Sequence, residues 1–125
     1  RGRPFTRKDG LIDVYDASGT LKKRFATGDV LNAPWGIASA PSDFGPFSNK
    51  RIVGNFGDGT IHAASPRAGA LVGTLTQKCG TPITLQVWGI GFGNGLNAQQ
   101  TNALFFAAAP NGGTNGLYGR LDIGQ

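Results

Sequence analysis

A repeat with a period of 53 residues limits the folds that this chain can adopt. The sequence Trp-Gly-Ile at residues 35–37 returns at residues 88–90, 53 positions further along. An Asp-Gly pair followed by an alternating segment at residues 9–21 likewise returns at residues 58–71. Periods of this size are typical of solenoids and propellers, in which one supersecondary unit recurs.

Composition indicates that the repeated unit is built from short strands. The 125 residues include 21 glycines and 7 prolines, which favour turns over a helical core. Alternation and glycine-rich boundaries predict hairpins around turns at residues 16–19 and 65–69. Further strands are predicted over residues 35–40, 51–55, 88–92, 104–108 and 117–123.

Grouped by the repeat, these strands form a unit of four short antiparallel strands. The chain would contain two strands of one unit, a complete unit of four, and three strands of a third. We therefore predict an all-β fold of β-propeller blades, about two blades plus a partial third, in an incomplete ring. A β-sandwich is the main rival, but it gives no reason for the repeated Trp-Gly-Ile and Asp-Gly elements.

The predicted organisation is a basic arm at residues 1–9 and a propeller fragment at residues 10–125. Its blade parts would lie at residues 10–25, 34–75 and 87–123. Closed propellers need about four blades or more, so the predicted strands leave blade faces and edges uncovered. We expect other subunits, or further blades of the same polypeptide, to cover them.

The net charge of +5 does not predict a nucleic-acid interface. Four basic residues lie in the arm and three more lie at residues 22–24, a distribution that is typical of solvated segments. No apolar run approaches the roughly 18 residues that a membrane-spanning helix requires. The single cysteine, Cys79, is predicted to be an incidental loop thiol, with an intermolecular disulfide as the alternative.

Two tryptophans and two asparagines are the candidate ligand-binding residues. Trp35 and Trp88 could stack on sugar rings, although their repetition at one strand start favours a role as core anchors. Asn55 and Asn111 lie in glycine-rich segments and could contact the same glycan as the tryptophans. We predict no catalytic residue.

Candidates for metal binding and acid–base chemistry are weak. Asn55 and Asp58 could offer oxygen ligands to calcium, but both residue types also stabilise turns, and no third carboxylate accompanies them. The sole histidine, His62, has no second histidine with which to bind a metal or transfer protons. It is predicted to form a structural hydrogen bond, and no cofactor is expected.

Several longer motifs resemble a known family. Residues 32–36 (Asn-Ala-Pro-Trp-Gly), 53–59, 87–95 and 109–119 resemble the C-terminal part of a bacterial family of uncharacterised, exported, propeller-like proteins related to the NHL-repeat class. The resemblance implies upstream blades and an extracytoplasmic location, and it brings no established activity. Gly113-Thr114 replaces an acidic residue of the family pattern, which weakens a polar-ligand role for that loop.

The functional prediction is a non-catalytic, extracytoplasmic interaction or assembly module. It would complete its fold with other blades or with partner subunits. The first alternative is a lectin-like propeller that binds a glycan through Trp35, Trp88, Asn55 and Asn111. The second is a fragment of a propeller enzyme whose active site lies on missing blades.

Overall fold

The computed structural model describes residues 10–27 and 30–124, so the predicted basic arm at residues 1–9 lies outside the described residues. This part of the chain contains nine strands and one short 3₁₀ helix, and no α-helix is found within it. The strands are β1 Leu11–Tyr15, β2 Leu21–Thr27, β3 Pro34–Ser39, β4 Arg51–Asn55, β5 Ile61–Ala64, β6 Leu71–Thr74, β7 Val87–Phe92, β8 Leu104–Ala108 and β9 Leu117–Leu121, with the 3₁₀ helix at Gly45–Phe47.

These strands form three small antiparallel sheets. Sheet 1 is the hairpin β1-β2, sheet 2 has the order β3-β4-β5-β6, and sheet 3 has the order β7-β8-β9. The prediction of an all-β chain divided into two, four and three strands is confirmed. Within the described ranges the sheets form no closed ring.

The hairpins of sheets 1 and 2 turn as the sequence predicts. The Asp16 carboxylate accepts hydrogen bonds from the backbone N–H groups of Ser18 and Thr20, and Gly19 has a φ of 86°. Hydrogen bonds, chiefly from the Ser18 hydroxyl and the Thr20 backbone, lower the pKa of Asp16 to about 2. In the second hairpin Gly69 takes a φ of 69° at the corresponding place.

Sheets 2 and 3 pack through their first strands, β3 and β7. A Cβ atom added to Gly36 would lie 3.1 Å from the backbone nitrogen of Ile90 and 3.2 Å from the carbonyl oxygen of Trp88. A side chain at Gly36 would therefore push the two strands apart. The main core lies between these two sheets, and its largest fully buried side chains are Ile52, Ile61, Val87 and Leu104.

This close approach predicts that substitutions at two equivalent glycines differ in their effect on stability. Gly36→Val should lower the free energy of unfolding by about 1–3 kcal/mol, because the added side chain meets backbone atoms that cannot rotate away. Gly89→Val is the matched control, since a Cβ atom at Gly89 meets no described atom within 4 Å. Its free energy of unfolding should stay within about 1 kcal/mol of the wild-type value in urea denaturation at a dilution where both chains are monomeric. Equal destabilisation by both substitutions would contradict the packing.

Candidate functional site

An exposed aromatic surface of sheets 2 and 3 is formed where β3 and β7 begin. In both strands the pairing register shifts by one residue, between Pro34 and Gly36 in β3 and between Val87 and Gly89 in β7. Trp35 and Trp88 are the extra residues of these two β-bulges. A bulge interrupts the regular pairing at its position, and both indoles are exposed there.

The two indoles meet each other and one further ring, and we call Trp35, Phe56 and Trp88 the aromatic cluster. Trp35 and Trp88 form an edge-to-face pair with centroids 4.7 Å apart, and Phe56 stacks on Trp88 at 4.4 Å. Trp35 is 61% exposed and Trp88 is 38% exposed. The interpretation of the tryptophans as core anchors is therefore wrong, because both indoles are exposed to solvent. Sequence reasoning also missed Phe56, which the pairing of Pro34 with Asn55 brings beside Trp35.

The two candidate asparagines lie in different environments. Asn55 is fully buried: its side-chain oxygen accepts from the Asn32 backbone N–H at 3.1 Å, and its amide donates to the Val30 carbonyl at 2.7 Å. In this arrangement Asn55 holds the segment before β3 against the end of β4. Asn111 is exposed in a turn, where its amide donates to the Asn115 side chain at 2.7 Å. The prediction that these residues bind a ligand together with the tryptophans stays a prediction.

A chain of hydrogen bonds links an exposed carboxylate to the buried histidine. Asp58 accepts from the Thr60 hydroxyl at 2.6 Å, Thr60 Oγ1 lies 2.8 Å from His62 Nε2, and His62 Nδ1 lies 2.8 Å from Thr74 Oγ1. Thr60 has one hydroxyl proton and donates it to the carboxylate, so Nε2 carries the imidazole proton and Nδ1 accepts from Thr74. Burial lowers the pKa of His62, and the charge of Asp58 partly opposes this effect.

This arrangement favours a structural histidine over a catalytic one. His62 is buried, and its ring nitrogens contact the hydroxyls of Thr60, just before β5, and Thr74 on β6. Asp58 is also engaged, because it closes a turn by accepting from the Thr60 backbone N–H at 3.0 Å. Throughout residues 10–27 and 30–124 no three His, Cys, Asp or Glu side chains cluster in a way that could hold a metal ion. The alternative of a propeller enzyme with its active site on other blades stays a prediction.

The basic residues of β2 have local partners. Arg24 forms a bidentate ion pair with Asp13 on the opposite strand, with nitrogen–oxygen distances of 2.5 and 3.0 Å. The ammonium nitrogen of Lys22 lies 3.2 Å from a carboxylate oxygen of Asp16. Lys23 donates to the Arg67 carbonyl of sheet 2 at 2.5 Å. Arg24 thus joins the two strands of sheet 1, while Lys22 and Lys23 contact the hairpin turns of sheets 1 and 2.

Cys79 is exposed and forms no disulfide. Its thiol lies 3.3 Å from the Thr81 hydroxyl, and hydrogen bonding with Thr81 lowers the pKa of Cys79.

The part of the chain that the structure describes holds no helix with the length and hydropathy needed to cross a membrane.

Comparisons with known proteins find viral relatives. The uncharacterized protein L690 of Acanthamoeba polyphaga mimivirus is 35% identical over 114 residues, which cover 90% of this chain and 29% of the relative. The uncharacterized protein R648 of the same virus is 33% identical over 114 residues, which cover 90% of this chain and 27% of the relative. The chain thus spans less than a third of the length of these relatives.

No protein-family model matches the chain, and no solved structure matches it. The identification of a bacterial family of exported, NHL-related proteins is therefore wrong, because the relatives found are mimivirus proteins. The extracytoplasmic location that this resemblance implied stays a prediction.

The buried histidine predicts a pH dependence of stability. In the folded chain the pKa of His62 lies below its ordinary value of 6.5. Its contribution to the free energy of unfolding is therefore fully present above about pH 6.5 and is lost as the pH falls through the pKa of the folded chain. The free energy of unfolding should therefore decrease between pH 7 and pH 5, as measured by urea denaturation. Because His62 is the sole histidine, His62→Gln should remove this dependence of the free energy of unfolding on pH between pH 7 and pH 5. An equal decrease in the variant would contradict the assignment.

Proposed function

We propose that the chain is a set of β-propeller blades that acts as a non-catalytic interaction and assembly module. Its role would be to complete its sheets and cover its open faces with further blades or partner subunits. The observation that carries the proposal is the contact between sheets 2 and 3, which joins a glycine on one sheet to an isoleucine on the other. The equivalent glycine of sheet 3 and the equivalent isoleucine of sheet 2 are not covered within the described residues.

The covered half is the glycine surface of sheet 2. Ile90 of β7 packs over Gly36, so that an isoleucine occupies the space left by a glycine on the preceding sheet. The repeat places Gly89 and Ile37 at the positions equivalent to Gly36 and Ile90. A Cβ atom at Gly89 meets no described atom within 4 Å, and Ile37 is 49% exposed. Sheet 3 thus presents an open glycine surface, and sheet 2 presents an uncovered isoleucine.

Further apolar surface supports the same proposal. On sheet 1, Leu11, Tyr15 and Leu21 are each at least half exposed. Tyr15 lies directly opposite Leu21, so both point to one face of the hairpin. Large apolar side chains grouped on a sheet face favour contact with another protein surface. The mimivirus relatives are more than three times the length of the matched segment, which gives such a module room for further sheets.

Light scattering after gel filtration tests the assembly. The chain has a mass of 13.0 kDa, and its measured mass should rise above this value as the concentration increases. Gly89→Val should shift the mass toward that of the monomer, because it fills the open glycine surface without a clash inside the chain. Gly116→Val is the control, since a Cβ atom there also meets no described atom within 4 Å. A folded wild-type monomer at every concentration would contradict the self-assembly part of the proposal.

A second candidate function, glycan binding, is favoured by the exposure of the aromatic cluster. Indoles stack on the apolar faces of sugar rings, and Trp35 offers 61% of its surface to solvent beside Trp88. The bulges hold both rings on strands instead of mobile loops, which reduces the entropy lost on binding.

A glycan array followed by fluorescence titration tests this candidate. A glycan that binds should change the tryptophan emission, and Trp35→Ala should weaken its binding about tenfold or more by removing a stacking ring. Tyr118→Ala is the matched control, because Tyr118 is a 67% exposed aromatic residue on β9, outside the cluster. An array without hits, or equal losses in both variants, would reject glycan binding through this cluster.

A further inference from the structure

The outer edge of β9 is an open strand position. Within the described residues β9 pairs with β8 alone, whereas β1 and β5, its equivalents in sheets 1 and 2, each pair with a following strand. The 53-residue repeat makes Val53 and Phe106 equivalent. Because Val53 lies opposite His62 and Phe106 lies opposite Gly119, His62 of β5 corresponds to Gly119 of β9. Unpaired strand edges expose backbone donors and acceptors that can pair with another segment.

An apolar groove of about 740 Å³ lies beside this edge. It runs between the end of β9 and the segments of sheet 2 that precede β4 and follow β6. Its apolar walls are Phe44, Phe47, Leu75, Ile83, Leu121 and Ile123. A strand added to β9 would therefore lie next to an apolar space that the described residues leave unfilled.

The other two sheets show what kind of strand fits this position. Leu21 pairs with Tyr15 and Leu71 pairs with Ala64, and in both hairpins a register shift occurs immediately before this pair. Tyr15 and Ala64 correspond to Leu121 in sheet 3. Residues directly opposite each other in an antiparallel pair share a face, so a leucine paired with Leu121 would lie on the groove side of the sheet.

We propose that the β9 edge binds an extended segment of the β6 type, which pairs antiparallel with β9 and inserts a leucine beside Leu121 into the groove. This inference rests on the proposed assembly function and names its partner: a strand that begins with leucine and carries a second apolar residue four positions later. Phe25 and Leu75 are those second residues in sheets 1 and 2, and each is 6% exposed.

The backbone contacts of the added strand follow from those that β6 and the residue after it make with β5. The Leu75 N–H donates to the Ile61 carbonyl at 2.8 Å, and Ile61 corresponds to Tyr118. The fifth residue of the added strand would therefore donate to the Tyr118 carbonyl. The N–H of the fourth residue would point away from β9, because successive N–H groups of a strand alternate in direction.

A fluorescent synthetic peptide with the sequence of residues 70–77 is the probe, titrated against the whole chain by anisotropy. Replacing the leucine that corresponds to Leu71 by lysine should weaken binding about tenfold or more, because the apolar contact is lost. N-methylation of the peptide residue that corresponds to Leu75 should abolish binding. N-methylation at the position of Thr74 should preserve it. Equal effects of the two methyl groups would overturn the proposed register.

Two variants of the chain locate the site. Leu121→Lys should weaken peptide binding about tenfold or more, while Leu96→Lys, at a 64% exposed loop leucine, should leave it unchanged. In an amide NMR spectrum the wild-type chain should show its largest shifts over Leu117–Leu121. Shifts confined to β2 or β6 would reject the β9 edge even if Leu121→Lys fails to fold.

The two proposals can fail separately. A chain that stays monomeric but binds the peptide at β9 retains the strand site and contradicts self-assembly. A chain that assembles but neither binds the peptide nor shows shifts at β9 retains the assembly module and overturns the strand site.

Discussion

The close approach of Gly36 to the backbone of β7 is the contact on which the arrangement of sheets 2 and 3 depends. Because Gly36 has no side chain, Ile90 and Trp88 can lie against β3 at backbone distance. That approach closes the core around Ile52, Ile61 and Leu104. It also brings together the two bulges from which the tryptophans project. The main core and the exposed aromatic cluster thus both depend on the close approach of the two strands at Gly36.

The strands of this chain are readable from the sequence because their pairing is local. Within each sheet, strands pair only with their neighbours in chain order, so alternation and turn residues are enough to place them. Strands β4 and β8 have the predicted bounds, and the hairpin turns at Gly19 and Gly69 have the expected positive φ. The repeat then gives the division into two, four and three strands.

Side-chain direction could not be read in the same way. Trp35 and Trp88 are the extra residues of β-bulges, and nothing in Trp-Gly-Ile marks a bulge. Asn55 lies in a turn-like motif, yet its buried amide bonds to Val30, 25 positions earlier in the chain. The mistaken family assignment has a related cause. The motifs that carried it are strand starts and glycine turns, which the fold itself requires.

The edge-to-face pair of Trp35 and Trp88 has an optical consequence. Two indoles with centroids 4.7 Å apart and planes inclined by 80° couple their electronic transitions, and each indole belongs to a different sheet. The sign and strength of the resulting circular-dichroism couplet depend on how β3 and β7 are placed. The chain therefore carries an intrinsic spectroscopic ruler for the spacing of two sheets, without any added label.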